Sequence, residues 1–125
     1  MEMELKKILV VDDEPDSLMT LSMALKSLGH VVLGALNGEE GLRLFKEEKP
    51  DIVILDIVMP VMDGWEVLQR IKSGFISKRV PVILITGKST DKDKEKSYQY
   101  KADFYVTKPY NLKQLLFTIE DMLAK

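Results

Sequence analysis

The sequence predicts an α/β fold in which a parallel sheet of five strands carries helices on both faces. Short β-rich apolar runs alternate five times with longer segments of helical period. Two of these runs, IVIL at 52–55 and VILI at 82–85, are apolar without alternation, as strands covered on both faces should be. Repeated strand–helix units of this kind connect right-handedly and build a parallel sheet.

The chain of 125 residues has the size of one ordinary domain, so we expect a single domain over residues 1–125 with no linker. No segment is repeated or of low complexity. The predicted strands are residues 7–11, 31–36, 52–55, 80–86 and 104–107.

Start signals precede the first three helices. Pro15 suits the first turn of a helix, where a missing N–H costs nothing. Asn37 and Asp63 each stand three residues before a glutamate, the spacing of a capping box. The predicted buried stripe of the first helix is Leu18, Leu21, Leu25 and Leu28.

The last two helices differ in composition. Residues 89–102 are mostly lysine, aspartate, glutamate and serine, with Tyr98 and Ala102 as the main apolar pair, so we expect a marginal and mobile helix. After Asn111, by contrast, apolar residues follow the three- and four-residue spacing of one buried stripe. That stripe is Leu112, Leu115, Leu116, Ile119, Met122 and Leu123.

Charge and composition exclude several classes of function. Eighteen basic and 20 acidic residues give a net charge of −2, and the lysines at 91–96 alternate with acids, so this chain alone is not expected to bind nucleic acid. The start, MEME, is acidic where a signal peptide would be basic, and no apolar run reaches membrane-spanning length. With no cysteine, a cytoplasmic setting away from membranes is the expectation.

Polar residues gather at the carboxyl ends of four predicted strands, the edge at which parallel sheets bind ligands. The clustered acids after the first strand repel one another and need a positive partner. Lys108 can offset part of that charge, and a divalent cation can offset the rest. The strand ends carry Asp12 and Asp13, then Asp56, then Thr86 and Gly87, and finally Thr107, Lys108 and Pro109.

Three carboxylates without a nearby histidine or cysteine make an oxygen-only site. Such a site suits Mg²⁺, with Mn²⁺ as the alternative, and not zinc. Acids, a hydroxyl and a lysine around such an ion are the parts used for phosphoryl transfer.

These motifs resemble the receiver domains of bacterial two-component response regulators over essentially the whole chain. The matching stretches are VVDDEP, LDIVMPVMDG, ILITG and ADFYVTKP, in the order and spacing of that family. The resemblance implies a flavodoxin-like sheet of order 2-1-3-4-5. It also implies that Asp56 is a phosphoacceptor that takes its phosphoryl group from a sensor histidine kinase or a phosphotransfer protein, with no separate substrate.

The resemblance also implies a role for each site residue. Asp13 would bind Mg²⁺ directly and Asp12 through water, with Asp56 and the backbone carbonyl of Val58 as further ligands. Thr86, the backbone at Gly87, and Lys108 would contact the phosphoryl group, and a cis bond before Pro109 would point Lys108 into the crevice. Tyr105 falls at the switch aromatic, and we expect the fourth helix, fifth strand and fifth helix to form the surface that controls a downstream effector.

Two other functions stay open from the residues alone. A small Mg²⁺-dependent phosphatase could use Asp56 as its nucleophile, although Val58 stands where such enzymes place a second acid. A degenerate receiver could act only as a protein-binding module, although it would be expected to have lost an acid or the lysine. Taken singly, the aspartates could equally be helix-start or turn residues.

Five side chains carry further expectations. His30, after Gly29, is predicted to be a surface turn residue, and Trp65 to pack. Lys101 replaces the family's usual glycine, so the fourth helix is expected to end poorly. Val58 and Lys88 stand where side chains screen the phosphoryl group from water, and they predict a lifetime that is not unusually short.

Overall fold

A computed structural model describes residues 5–74, 77–87 and 90–124. Within these ranges, no helix has both the length and the apolar character needed to cross a bilayer. A short 3₁₀ helix, Ser77–Arg79, precedes the fourth strand. The other elements alternate as β1 (Lys7–Val11), α1 (Pro15–Ser27), β2 (Val31–Ala35), α2 (Gly38–Glu48), β3 (Ile52–Asp56), α3 (Gly64–Ser73), β4 (Val82–Thr86), α4 (Asp91–Gln99), β5 (Phe104–Thr107) and α5 (Leu112–Leu123).

The sheet has the order β2-β1-β3-β4-β5, and all four strand pairings are parallel, which confirms the predicted fold. Three strand boundaries differ from the prediction. β2 ends at Ala35, and β3 continues through Asp56. β4 begins only at Val82, because the Val80 N–H closes a turn on the Ser77 carbonyl at 3.1 Å and Pro81 has no N–H for the ladder.

The core lies in two layers, one on each face of the sheet. Alternate residues of the central strands point to opposite faces, so each strand contributes to both layers. The layer under α1 and α5 is Ile8, Val10, Leu21, Leu25, Ile52, Ile54, Ile83, Ile85, Leu115 and Ile119. The layer under α2 and α3 includes Leu9, Val11, Leu42, Phe45, Val53, Leu55, Trp65, Val67, Leu68, Ile71, Val82 and Leu84.

The predicted helix starts are present. The side chain of Asn37 accepts a hydrogen bond from the backbone N–H of Glu40 at 2.8 Å. Asp63 does the same for Glu66 at 3.0 Å. These bonds satisfy amide groups that the first turn of a helix leaves unpaired.

The fourth helix is as polar as predicted, but only one member of its apolar pair packs inward. Tyr98 is 87% exposed, whereas Ala102, beyond the end of α4, packs against the layer under α2 and α3. Ser97 is the buried residue of this helix. Adjacent helical residues point about 100° apart, so the inward position of Ser97 turns Tyr98 toward solvent.

The end of α4 also differs from the expectation. Lys101 adopts φ 65, the left-handed conformation that glycine usually supplies. The Ala102 N–H bonds the Ser97 carbonyl at 3.0 Å and the Lys101 N–H bonds that of Tyr98 at 3.1 Å, which is the Schellman pattern. The helix therefore ends with its cap hydrogen bonds formed, at the cost of a strained lysine.

His30 is buried, so its prediction as a surface residue is wrong. Gly29, at φ 93, ends α1 with the same hydrogen-bond pattern, and the turn carries His30 inward to 9% exposure. The ring Nε2 contacts the Glu120 carboxylate of α5, and Nδ1 has no partner among the described residues. Sequence spacing missed this because Glu120 lies 90 positions away.

Candidate functional site

The predicted site residues lie together at the carboxyl edge of the sheet. β1, β3, β4 and β5 are neighbours in that order, so their ends line up. Asp56 and Thr86 are the last residues of β3 and β4, whereas Asp12 and Lys108 directly follow β1 and β5. The topology alone therefore brings four distant chain segments to one crevice.

The carboxylates of Asp12, Asp13 and Asp56 form the centre of the site. Each offers one oxygen, and these oxygens lie within 4.8 Å of one another. Asp12 and Asp56 are only 7% and 6% exposed, whereas Asp13 is half-buried. One oxygen of Asp12 accepts from the Glu14 backbone N–H at 2.9 Å, and one of Asp56 accepts from that of Val58 at 3.1 Å. These bonds fix both buried carboxylates against the backbone.

Lys108 supplies the positive charge that the acid cluster needs. Its Nζ lies 3.3 Å from Asp56 Oδ2, 3.4 Å from Asp12 Oδ2 and 3.7 Å from Glu14 Oε1. The Lys108 backbone N–H donates to the Thr86 carbonyl at 2.7 Å, and the following bond to Pro109 is cis. Glu14 was absent from the predicted site, although it belongs to the same acidic run of the sequence.

The environment raises the pKa of the Asp56 carboxyl group. Burial is the largest cause, and the negative charge of Asp12 acts in the same direction. Lys108 and the Val58 N–H oppose the rise but do not cancel it. For the Lys108 ammonium, burial lowers the pKa, but attraction to Asp56 and Asp12 outweighs burial and the net pKa is raised. The Asp56 shift shows that further negative charge at this edge is costly, and the Lys108 shift shows that positive charge there is favoured.

The donor set fits a hard divalent cation. Within residues 5–74, 77–87 and 90–124, Asp12, Asp13 and Asp56 are the one group of acids, histidines and cysteines close enough to share an ion. All three offer oxygen, which Mg²⁺ prefers. The side chain of Val58 is 68% exposed, beside the backbone N–H that bonds Asp56.

Thr86 and Tyr105 lie on the same face of the sheet. Tyr105 pairs in register with Leu84, and both belong to the layer under α2 and α3. Thr86 is two residues beyond Leu84 and so points to that face as well. Thr86 is 2% exposed and Tyr105 is half-buried, whereas Gly87 is exposed at the strand end. Lys88 lies outside the described residues.

Gly64 supports the site by allowing the start of α3 to approach the backbone at the end of β3. Its N–H donates to the Ile57 carbonyl at 2.8 Å. A Cβ atom at Gly64 would lie 2.4 Å from the Asp56 carbonyl oxygen and 2.7 Å from the Ile57 Cα, so no other residue fits without moving that backbone. The sequence did contain a signal for this contact, the Asp63-Gly64 pair, because a helix-capping residue is followed there by the one residue type that permits a close backbone approach.

Comparisons with known proteins agree with this geometry. The sequence model of the response regulator receiver domain family matches residues 8–120. Protein PilH of Pseudomonas aeruginosa is 39% identical over 118 residues, which are 94% of this chain and 98% of PilH. The probable transcriptional regulator ycf27 of Guillardia theta is 39% identical over 120 residues, which are 96% of this chain but 46% of ycf27. The chain therefore spans about half the length of that relative.

A solved structure shares the fold over nearly the whole chain. The receiver domain of the sensor histidine kinase PA1611 from Pseudomonas aeruginosa has a TM-score of 0.87 and 25% identity, covering 98% of this chain and all of that one. It holds a magnesium ion coordinated in its active-site cleft. With the family match over residues 8–120 and the acid–lysine crevice at the sheet edge, this chain belongs to the response regulator receiver domains, the signalling domains of two-component systems.

Proposed function

We propose that Asp56 accepts a phosphoryl group from the phosphohistidine of a sensor kinase or a phosphotransfer protein, in a Mg²⁺-dependent reaction. The proposal rests on the arrangement of charged groups in the crevice. The Asp56 carboxylate lies close to those of Asp12 and Asp13, which can share a cation with it. It also lies 3.3 Å from Lys108 Nζ. Nucleophile, counter-charge and cation ligands thus meet at one point, as phosphoryl transfer requires.

In the proposed step, an Asp56 oxygen forms a bond to phosphorus as the phosphorus–nitrogen bond to the donor imidazole breaks. The imidazole nitrogen takes the electron pair and a proton, and Asp56 becomes an acyl phosphate. A bound Mg²⁺, or Mn²⁺, supplies neutralisation of the charge on the phosphoryl oxygens. Lys108 releases its contact with Asp56 and donates to one phosphoryl oxygen, while the Thr86 hydroxyl and the Gly87 backbone N–H donate to the others.

The cation ligands divide by burial and position. Asp13 would hold the cation directly and Asp12 through water, and Asp56 and the Val58 carbonyl would complete the protein ligands. The backbone N–H bonds that Asp12 and Asp56 accept at 2.9 and 3.1 Å keep these oxygens in place before the cation binds. Preorganisation of this kind reduces the reorganisation needed at the moment of reaction.

Phosphorylation then switches the surface formed by α4, β5 and α5. The phosphoryl group adds roughly −1.5 to −2 charges at Asp56. Changing a population from about 1:99 to 99:1 needs roughly 5.5 kcal/mol of differential stabilisation. New bonds from Lys108, Thr86 and a backbone amide, at about 1.5–3 kcal/mol each, reach that order. Tyr105 lies on the same face as Thr86. In the proposed switch, Tyr105 turns inward as Thr86 moves toward the phosphoryl group.

Intact mass after incubation with acetyl phosphate tests the phosphoacceptor. We expect one Mg²⁺-dependent phosphoryl adduct on the wild type and none on Asp56→Asn. Asp16→Asn, which replaces an exposed acid in the first turn of α1, is the control and should form the adduct normally. A well-folded wild type without an adduct would contradict the proposal and favour a module that only binds a partner.

Hydrogen exchange with and without beryllofluoride, a phosphoryl mimic, tests the switch. We expect the largest change in α4 and at Tyr105, with smaller changes in α1 and α2. Asp56→Asn with the same mimic is the control and should show no change. Equal protection of α4 in both states of the wild type would rule out this output surface.

A further inference from the structure

A second recess lies at the opposite edge of the sheet from Asp56. It opens between the ends of α2 and α3, where the chain leads into β3 and β4. Its volume is about 630 Å³. Pockets for small molecules commonly measure about 300–1,000 Å³, so the recess has the size of a ligand site.

The floor of this recess, the α2–α3 pocket, is apolar. Phe45 and Ile71 are buried core residues of the two helices, at 8% and 1% exposure. Their neighbours in the lining are Leu42, Pro50 and Val80. An apolar floor between two helices favours a hydrophobic body, because covering it removes apolar surface from water.

Cations surround the mouth of the pocket. Lys46, Lys49 and Arg70 line it, and no acidic residue does so among the described part of the chain. Arg70 pairs with Glu66 at 3.0 Å, whereas Lys46 and Lys49 form no ion pair within the described residues. Two uncompensated ammonium groups in a chain of net charge −2 mark this mouth as a place for an anion.

The remaining polar groups of the lining are already used. Ser73 Oγ donates to the Arg70 carbonyl at 2.9 Å, and Ser77 Oγ donates to that of Ile71 at 2.6 Å. Lys49 adopts φ 49 directly before Pro50, a conformation that costs energy for a residue with a side chain. The lysines therefore remain the groups available to a ligand.

We propose that the α2–α3 pocket binds a small amphipathic anion, with an aromatic or aliphatic body on the apolar floor and a carboxylate or sulfonate at Lys46 and Lys49. This site is separate from the phosphoacceptor and does not depend on the proposed phosphorylation. The volume suits a small molecule and not a folded partner. The proposed ligand would thus bind at the sheet edge opposite Asp12, Asp13 and Asp56.

The probe is 8-anilinonaphthalene-1-sulfonate, with N-phenyl-1-naphthylamine as its neutral analogue. Calorimetric titration of the folded chain should show saturable binding at one site for the sulfonate and weaker binding for the neutral compound. Amide shifts in a two-dimensional NMR titration should concentrate in α2 after Leu42 and in α3 after Arg70. Asp56→Asn should bind in the same way, which separates this test from the phosphorylation test.

Two variants assign the binding to the pocket. Replacing both lysines, Lys46→Ala with Lys49→Ala, should weaken sulfonate binding by about fivefold, as the loss of two exposed charge contacts predicts. The matched control, Lys92→Ala with Lys94→Ala on α4, should leave it unchanged. Ser73→Phe should fill the recess from its exposed rim and abolish binding while the melting temperature stays close to that of the wild type.

Several outcomes would overturn the proposal. They are the absence of saturable sulfonate binding, equally strong binding of the neutral analogue, and unaltered sulfonate binding to the Ser73→Phe variant. Shifts centred on Phe104 and Phe117 would instead place the probe in the groove between β5 and α5.

Discussion

The two helices that flank β5 are held in different ways. α5 buries Leu115 and Ile119, at 3% and 0% exposure, and packs along its length on the layer that it shares with α1. α4 buries Ser97 and exposes Tyr98. The same strand is thus bordered by one helix fixed through its side chains and one that is nearly all polar.

α4 depends on contacts at its ends and at one lysine. Thr90 caps its start by accepting from the Asp93 N–H at 3.0 Å, and Lys101 closes its end. Lys96 Nζ lies 4.8 Å from the Trp65 ring, which packs edge-on against Tyr100. Each such contact contributes about 1 kcal/mol or less, so a switch of a few kcal/mol can reposition α4 but not α5.

The largest expected effect comes from the buried anchor of α5. Ile119→Ala should lower the free energy of unfolding by about 2–5 kcal/mol, because it leaves a cavity in a fully packed layer. Urea denaturation followed by circular dichroism measures the change. Phe117→Ala, on the exposed side of the same helix, is the control and should cost much less. Equal losses would mean that α5 is not held by its buried face.

A smaller effect is expected from the cap of α4. Thr90→Ala should cost about 1 kcal/mol, because the Asp93 N–H loses its partner. Hydrogen exchange should then speed up within α4 alone. Asn111→Ala, which removes the matching cap of α5, should leave local exchange in α5 slow because the buried stripe still holds it. If exchange speeds up equally in both helices, α4 and α5 are not held in different ways.

Lys101→Gly should stabilise the protein by roughly 0.5–1 kcal/mol. Glycine takes the left-handed conformation without strain, and this gain exceeds the entropy that it costs. Chemical denaturation measures the shift. The reverse test is Gly29→Ala at φ 93, which should destabilise by about 1 kcal/mol although its Cβ would meet nothing within 4 Å. A destabilised Lys101→Gly variant would show that the lysine side chain outweighs the strain.

The smallest effect is expected at the aromatic contact of α4. Lys96→Ala should cost about 0.5 kcal/mol, as removal of an exposed cation–π contact does. Lys92→Ala, on the same helix and without an aromatic partner among the described residues, is the control. The difference between the two in urea denaturation measures the contact, and no difference would remove Lys96 from the contacts that hold α4.

The fold was predictable because its signals are local and repeated. Apolar runs, the Asn37 and Asp63 caps, and strand alternation each follow from short stretches of sequence. The prediction for His30 was wrong because its burial depends on a partner far along the chain. The exposure of Tyr98 was not foreseen because it depends on which residue of α4 faces the sheet. The left-handed Lys101 was unexpected because lysine has no preference for that conformation.

The site was predictable to the level of which residues meet. Strand ends of a parallel sheet share an edge, so Asp12, Asp56 and Lys108 could be placed together before any distance was known. The distances between their side-chain atoms depend on side-chain burial and could not be predicted. The α2–α3 pocket gave no signal because its shape depends on how far two helix ends stand apart, and no residue pattern encodes that gap.

The burial of His30 simplifies the chemistry of mixed phosphorylation reactions. It is the only histidine of the chain, and its ring is enclosed, with Nε2 against Glu120. A phosphohistidine therefore has no accessible site on the folded protein. If Asp56 carries the proposed acyl phosphate, base-labile phosphate in a mixture with a kinase belongs to this chain, and base-stable, acid-labile phosphate belongs to the kinase. Brief treatment with base can then tell donor from acceptor without separating the two proteins.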